Sequence, residues 1–249
     1  MFARLFNTSL SLLRQFQHLP QLLPSSCVLC AQTGRNALCQ PCRQHYFTTR
    51  PRRCMQCAMP IPTTAKEIRC GDCLKHRPAF DATIVAADYA TPADQLVLAL
   101  KFGAKLPLAP LMADMLRDAI RHDTERGLAM PTLLTAVPLS TSRLQERGFN
   151  QSLEIARTLS RRLDTALAPH LLVRLRDTQA QATLPTKERR HNVHRAFAVP
   201  PAAIDHICGC HVGVIDDVIT TGATLNEVAA TLKRFGAQRV TNIVFARTV

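Results

Sequence analysis

Four Cys-x-x-Cys pairs crowd into a short stretch near the start of this 249-residue chain. Each such turn places two thiolates a metal's width apart, and two turns complete the sulfur tetrahedron that structural zinc prefers. The pattern therefore predicts two closed Zn(Cys)4 sites. Their predicted ligands are Cys27, Cys30, Cys39, Cys42, Cys54, Cys57, Cys70 and Cys73.

Two alternatives stay open for this stretch. The gaps allow sequential pairing of neighbouring Cys-x-x-Cys turns, which we expect, or an interleaved cross-brace. Iron–sulfur ligation is the chemical alternative to zinc. With all four positions filled by sulfur, no water can bind the metal, so the predicted role is structural. Binding worth about 10 kcal/mol per site would then fold a segment that has little apolar core.

The formal charge of +13 is concentrated at the front of the chain. Residues 1–80 carry 11 Lys/Arg against 2 Asp/Glu, whereas residues 81–249 carry 20 against 16. Two Zn(Cys)4 centres would cancel only part of the excess, because each contributes a formal charge of about minus two. This balance favours polyanion partners such as nucleic acid or pyrophosphate-bearing ligands. The alternative is a charge that only keeps the chain soluble.

Composition divides the chain into three predicted parts. Residues 1–23 form a basic amphipathic segment that we expect to be a helix, residues 24–78 hold a double zinc ribbon, and residues 79–249 resemble an ordinary globular domain. No stretch reaches the roughly 20 apolar residues that span a bilayer. Cysteine pairs without an export signal indicate metal in a reducing compartment, so we expect a cytoplasmic protein.

In the globular part, apolar segments of strand length alternate with amphipathic segments of helix length. Pro92 opens one helix, in which Leu96 and Leu100 share a face, and Gly103 ends it. The alternation predicts an α/β domain with a mostly parallel sheet covered by helices on both faces. The other expected elements are strands at 82–89, 132–138, 171–175, 211–216 and 239–246, and helices at 106–121, 150–163 and 224–235.

The segment 213–225 is the most informative part of this domain. A buried strand delivers two adjacent acids, and a turn rich in hydroxyl groups then leads into a helix. Amides at a helix N-terminus, together with such hydroxyls, can surround a phosphate. The alternative is a polar loop that only caps the helix. The predicted phosphate-binding residues are Thr220, Thr221, Gly222, Ala223 and Thr224.

The acids Asp216 and Asp217 suit another part of the same ligand, because two carboxylates repel a phosphate. They match the vicinal hydroxyls of a ribose, and Mg²⁺ could share their charge. The segment 214–224 closely resembles the signature of type I phosphoribosyltransferases. That resemblance implies a Rossmann-like phosphoribosyltransferase fold in which the acid pair holds the ribose of 5-phosphoribosyl pyrophosphate (PRPP). The threonine loop would hold the 5-phosphate, and Mg²⁺ would accompany PRPP.

A second loop offers further groups to an anion, because it follows the expected strand 132–138 and begins another helix. By position it resembles the loop that cradles pyrophosphate in phosphoribosyltransferases, and Arg147 joins the acid pair as a candidate catalytic residue. The alternative is a solvated helix start. The predicted anion-binding groups here are Ser140, Arg143, Arg147 and the Gly148 amide.

The combination of motifs resembles the ComF family of competence-associated proteins over nearly the whole chain. The resemblance rests on Leu23-Pro24, the segments 100–103, 137–139 and 147–151, the residues Gln181, Arg190, Asn192 and Phe197, and the 216–224 loop. It implies a link to DNA uptake or DNA utilisation, with single-stranded DNA and a DNA-uptake helicase as candidate partners. Ala31 and Ala58 replace the glycine that usually follows a zinc knuckle in the family, which puts the tightness of those knuckles in question.

The basic stretch 176–197 has little apolar periodicity, so we expect a mobile loop running into a short helix. In phosphoribosyltransferases a flexible loop closes over PRPP and supplies cations to the departing pyrophosphate. By that resemblance the candidates are Lys187, Arg189 and Arg190. A nucleic-acid tether or a solvated face is the alternative.

Three functions are consistent with the sequence. The first is a PRPP-binding protein of ComF type, the second an active phosphoribosyltransferase of nucleobase salvage, and the third a zinc-ribbon adaptor that binds single-stranded DNA. The retained acid pair disfavours a pure adaptor, but no base-reading motif decides whether a transfer is catalysed. The residues of the candidate DNA surface are Arg35, Arg43, Arg50, Arg52, Arg53, Tyr46 and Phe47.

Overall fold

The computed structural model describes residues 25–176 and 193–249. The expected N-terminal helix at 1–23 and the loop cations Lys187, Arg189 and Arg190 lie outside these residues. The chain divides into two compact units, Met1–Thr49 and Arg50–Val249. The second cysteine group therefore lies in the same unit as the sheet, whereas composition draws its boundary near residue 78.

The described part of the first unit is small. Strand β1 (Ser25–Ser26) pairs with β2 (Thr33–Gly34) in antiparallel fashion, and helix α1 (Gln40–Phe47) follows. Within residues 25–49 the buried apolar side chains are Cys27, Leu38 and Cys42. So small a cluster cannot stabilise a fold by hydrophobic burial alone.

The second unit is built on a five-stranded parallel sheet with the strand order β3-β9-β8-β4-β5. Its three central strands are almost fully buried, as expected for a sheet that helices cover on both faces. The strands are β3 (Ala82–Asp88), β4 (Leu133–Ala136), β5 (Ala166–Leu167), β8 (His211–Ile219) and β9 (Arg239–Arg247). The prediction of an α/β domain with a mostly parallel sheet is confirmed.

Six α-helices of the second unit lie wholly within the described residues. They are α2 (Gly71–Lys75), α3 (Ala93–Phe102), α4 (Leu108–Glu125), α5 (Thr141–Arg147), α6 (Gln151–Leu163) and α7 (Ala223–Arg234). Helices α4 and α6 pack on each other and on the sheet, so they share one face. The connections that contain α4 and α6 run towards the β5 edge of the sheet, whereas α7 connects β8 to β9 towards the β3 edge. Because such crossovers are right-handed, α7 lies on the other face.

Two strands differ from expectation. Strand β8 continues through Ile219, so the acids lie inside the strand, because β9 pairs with it as far as Ile219, whereas the pairing with β4 ends at Ile215. The expected strand 171–175 is only β6 (Val173–Arg174), which pairs with β7 (Phe197–Ala198) outside the main sheet. A short 3-10 helix, Pro201–His206, then leads into β8. Within residues 25–176 and 193–249, no helix combines the length and apolar character needed to cross a bilayer.

Candidate functional site

The eight predicted cysteine ligands form two groups of four, and in each group the sulfur atoms lie within 4.8 Å of one another. Tetrahedral zinc with bonds of about 2.3 Å requires sulfur atoms about 3.8 Å apart. The observed distances of 3.7 Å between Cys30 and Cys39 and 3.6 Å between Cys57 and Cys70 fit that requirement. The pairing is sequential. The donor sets therefore suit two structural zinc ions.

The second cysteine group is tied to the sheet by side chains that lie between and beside its ligands. The amide of Gln56, only 6% exposed, donates to the carbonyls of Phe80 at 2.9 Å and Pro78 at 3.3 Å. The hydroxyl of Thr83 in β3 donates to the Gln56 carbonyl at 2.6 Å. Arg53 forms an ion pair of 2.7 Å with Asp88 at the end of the same strand. This zinc knuckle is thus part of the sheet domain.

Arg247, the last residue of β9, is buried beside this cysteine group. Burial lowers the pKa of its guanidinium, and the neighbouring thiolates of Cys57, Cys70 and Cys73 act in the opposite direction. One of its nitrogens lies 3.4 Å from the Met59 sulfur. A buried cation at this place offsets the negative charge of a four-thiolate metal centre.

The acid pair sits in β8, where successive side chains point to opposite sides, so the two carboxylates have different partners. Asp217 is 4% exposed, and its Oδ1 lies 2.9 Å from the Nζ of Lys101 in α3. Asp216 is half-buried, and its Oδ1 accepts hydrogen bonds from the Ser152 hydroxyl at 3.0 Å and from the Asp217 amide at 2.9 Å. Sequence reasoning assigned no role to Lys101 or Ser152.

Burial and the negative charge of Asp217 raise the pKa of Asp216 to about 7. The positive charge of Lys101 and the two hydrogen bonds to Asp216 act in the opposite direction but do not outweigh them. A carboxyl with this pKa exchanges its proton near neutral pH. A ligand that brings hydroxyl donors or a cation would therefore stabilise the two carboxylates.

The predicted phosphate-binding turn follows β8 directly and opens α7. Gly222 adopts a left-handed backbone conformation with φ of 77°, which a residue with a Cβ would adopt only under strain. The Thr221 side chain is exposed, and its hydroxyl accepts a hydrogen bond of 3.4 Å from the Ala223 amide. Thr220 and Thr224 are half-buried on either side. All five predicted residues thus stand at the N-terminus of one helix.

In the second predicted loop, which contains Ser140, Arg143, Arg147 and Gly148, several of the expected anion-binding groups have partners within the protein. The Gly148 amide donates to the Leu144 carbonyl at 2.8 Å and ends α5, so this expected anion donor is already used within the protein. Ser140 is buried, with its hydroxyl 3.2 Å from that of Ser142. The guanidinium of Arg147 lies over the ring of Phe102, 5.1 Å from its centroid. Arg143 is half-buried.

A cleft of about 720 Å³ separates the second cysteine group from the phosphate-binding turn. Its lining includes Cys57, Cys70, Phe80, Thr221, Asn226 and Arg247. Asn226 also lines the cleft, and its Oδ1 accepts a hydrogen bond of 2.7 Å from the Ala79 amide. Sequence reasoning missed Asn226, since its partner lies 147 residues away along the chain.

Two arginines of the candidate DNA surface have partners within the fold. Arg52 donates to the carbonyls of Thr63 and Ala65, and Arg53 donates to Asp88 and to the Ala58 carbonyl. Both stabilise the fold of the second knuckle. Of the remaining predicted residues, Arg35, Arg50 and Tyr46 are exposed and Arg43 and Phe47 are half-buried.

Comparison with protein families matches residues 18–74 to the double zinc ribbon domain and residues 150–248 to the phosphoribosyl transferase domain. The DNA utilization protein YhgH of Escherichia coli (strain K12) is 32% identical over 231 residues, or 91% of this chain and 99% of that protein. Competence protein F of Haemophilus influenzae is 32% identical over 209 residues, or 83% of this chain and 89% of that protein.

Among solved structures, the glutamine phosphoribosylpyrophosphate amidotransferase of B. subtilis overlaps 54% of this chain and 25% of its own, with 16% identity and a TM-score of 0.35. That superposition is loose, and the assignment rests on the sequence relatives and the matched domains. The chain belongs to the ComF family, whose members include competence protein F and YhgH, and it joins a double zinc ribbon to a phosphoribosyltransferase domain.

Proposed function

We propose that this protein binds PRPP, or a related phosphoribosyl ligand, at the carboxyl end of β8 and acts in DNA uptake or DNA utilisation in the cytoplasm. One observation carries the proposal: a buried strand presents two adjacent carboxylates immediately before a hydroxyl-rich turn that opens a helix. Parallel sheets bind ligands at this edge. The acids suit the hydroxyls of a ribose, and the turn suits its 5-phosphate.

The state of Asp217 supports a ligand that brings a donor or a cation. Its Oδ2 is buried and has no hydrogen-bond partner among the described residues. A buried carboxylate oxygen without a partner costs about 1–3 kcal/mol. A ribose hydroxyl or Mg²⁺ would remove that cost, so we include Mg²⁺ in the proposal as the ion that accompanies PRPP. Mg²⁺ prefers carboxylate and phosphate oxygens.

Calorimetry with PRPP and Mg²⁺ tests the binding proposal. The native protein should bind with a rise in melting temperature, and the double variant Asp216→Asn/Asp217→Asn should lose both signals. The matched control is Asp114→Asn/Asp118→Asn, which removes two carboxylates from ion pairs on α4. Absence of any heat or melting shift with the native protein would contradict the proposal.

Transfer of the phosphoribosyl group is a second candidate function. It is favoured by Asp216, whose pKa of about 7 provides a group that can take up or release a proton at neutral pH beside the ligand. Release of pyrophosphate from PRPP should then be seen with at least one common nucleobase. If no base gives pyrophosphate release, the protein binds PRPP without transferring its phosphoribosyl group.

The role in DNA metabolism is supported by relatives named for DNA utilisation and competence. We propose single-stranded DNA as a direct partner through Arg35, Arg43 and Tyr46, and a DNA-uptake helicase as a protein partner. A cation that contacts phosphate weakens binding as salt rises. Arg35→Ala should therefore reduce the salt dependence of a mobility shift, whereas Arg52→Ala, whose guanidinium binds carbonyls within the fold, should leave it unchanged. Equal effects of the two substitutions would exclude this surface.

A further inference from the structure

Phe102 presents an exposed aromatic ring to solvent. It has the highest exposed fraction, 65%, of the large apolar side chains in the described part of the protein. It is the last residue of α3, and Gly103 ends the helix there. A Cβ on Gly103 would lie 2.7 Å from the Ala99 carbonyl oxygen, so only glycine allows this close stop.

The two chain segments that carry Phe102 and Arg147 also carry the side chains that contact the two acids. Lys101, the neighbour of Phe102 in the chain, forms the ion pair with Asp217. Arg147, which lies over the ring, is followed by the start of α6, where Ser152 donates to Asp216. The segments that carry the aromatic ring and the guanidinium are thus anchored to the two acids that are proposed to hold the ribose.

The surface of Phe102 suits a flat aromatic ligand. Arg147 covers one face, and an exposed fraction of 65% leaves the opposite face open to solvent. The Arg147 Nε is buried and has no hydrogen-bond partner among the described residues. Aromatic rings and arginine planes are the groups on which proteins stack bases, and stacking needs no sequence-specific contact.

We propose that the open face of Phe102 stacks the base of a nucleotide whose phosphoribosyl part occupies the acid pair and the turn 220–224. The inference rests on the proposed function and extends it from the phosphoribosyl group to the base. The base is joined directly to C1 of the ribose, so a sugar held by the acids would place its base near the segments that carry Phe102 and Arg147. Stacking without base-edge contacts predicts weak discrimination among bases.

Calorimetry with AMP and with ribose 5-phosphate isolates the base. The native protein should bind AMP about 5- to 100-fold more tightly than ribose 5-phosphate, as one stacked base provides. Phe102→Leu should lose most of that difference while its affinity for ribose 5-phosphate stays unchanged, and Phe102→Tyr should retain it. The matched control is Leu98→Ala, which removes another exposed apolar side chain from α3.

The outcomes separate the inference from the function on which it rests. Native protein that binds ribose 5-phosphate, with AMP affinity unchanged in Phe102→Leu, overturns the stacking site and leaves the proposed function standing. Equal loss of both ligands in Phe102→Leu also overturns it, because the ring would then act on the sugar phosphate. Native protein that binds PRPP with Mg²⁺ but neither AMP nor ribose 5-phosphate overturns the inference alone, and native protein that binds none of the three ligands removes the proposed function as well.

Discussion

The two cysteine groups have the same ligands and nearly the same sulfur distances, yet their surroundings differ. Around the first group, residues 25–49 bury only three apolar side chains, and two of them are the metal ligands Cys27 and Cys42. Around the second group, Cys54 is fully buried, and Gln56, Thr83 and the ion pair of Arg53 join the knuckle to β3. We therefore expect the first group to depend on metal, whereas the second shares the core of a domain.

The difference teaches that a zinc knuckle can become part of a neighbouring domain without any change in its motif. Asn226 accepts from the Ala79 amide and so joins the segment after the second knuckle to the helix that carries the phosphate-binding turn. The backbone of Thr248 donates to Ile219 at the end of β8. Loss of the second metal should therefore disturb the ligand site, and loss of the first should not.

The largest expected effect comes from removing one ligand of each group. Cys54→Ser should lower the melting temperature of the sheet unit by about 10 °C or more, because several kcal/mol of metal binding stabilises a domain of this size. Cys27→Ser should release one zinc and leave that transition within about 2 °C. Scanning calorimetry with zinc analysis measures both quantities. Equal shifts would show that the two groups are energetically alike.

A smaller effect tests the hydrogen bonds that join the second knuckle to the sheet. Gln56→Ala leaves the Pro78 and Phe80 carbonyls without their buried donor and should cost about 2 kcal/mol, or roughly 4–8 °C. Gln32→Ala is the control, because Gln32 is an exposed glutamine just after the knuckle of the first group. If Gln56→Ala melts like the native protein, the knuckle is not anchored as described.

Much of the pattern of helices and strands could be predicted because the sequence signals for it are local. The apolar face of α3 and the stop at Gly103 follow from short-range periodicity and backbone freedom. The end of β8 could not be predicted in the same way, since two acids interrupt its apolar run. Pairing of Val218 with Ala246 and of Ile219 with Arg247 keeps the strand extended past them, and such pairing is visible only in three dimensions.

The residues of the candidate site also divide into those that a local motif reveals and those that only tertiary contacts reveal. Asp216 and the threonine turn stand within nine consecutive positions, so a motif reveals them. Ser152 lies 64 residues from Asp216 along the chain. Lys101, which pairs with Asp217, belongs to α3, a helix that comes before β4 in the chain and far from the motif in β8. Gln56 looked like a spacer between Cys54 and Cys57. Residues that act through tertiary contacts leave no periodic or spacing signal in a single sequence.

A pH titration tests whether the raised pKa of Asp216 affects the stability of the sheet unit independently of its metal. Folding raises the pKa of Asp216 from 3.8 to about 7, so between these values the folded state holds a proton that the unfolded state has released. Stability of the native protein should therefore rise as pH falls from 8 towards 5, relative to Asp216→Asn, which cannot titrate. Melting temperatures of both proteins, with zinc content checked at each pH, measure this difference. A constant difference across the range would exclude the raised pKa.

The smallest expected effect compares the two knuckles at one matched backbone position. Ala31 and Ala58 both adopt φ of 60°, the left-handed conformation that glycine adopts without cost. Substitution by glycine should relieve about 1 kcal/mol of strain in each knuckle. Ala31 is exposed, so Ala31→Gly should tighten zinc binding at the first group by roughly three- to tenfold, measured by chelator competition.

Ala58 should respond differently because its methyl group is 1% exposed and packs inside the sheet unit. Removal of a buried methyl costs about 0.8 kcal/mol, which offsets most of the relieved strain, so Ala58→Gly should change the main melting temperature by less than about 2 °C. The same substitution thus improves the knuckle that depends on metal and leaves the anchored one nearly unchanged. An equal stabilisation at both positions would mean that burial around Ala58 contributes nothing, and the contrast between the two groups would then rest on the contacts of Gln56, Thr83 and Arg53 with the sheet.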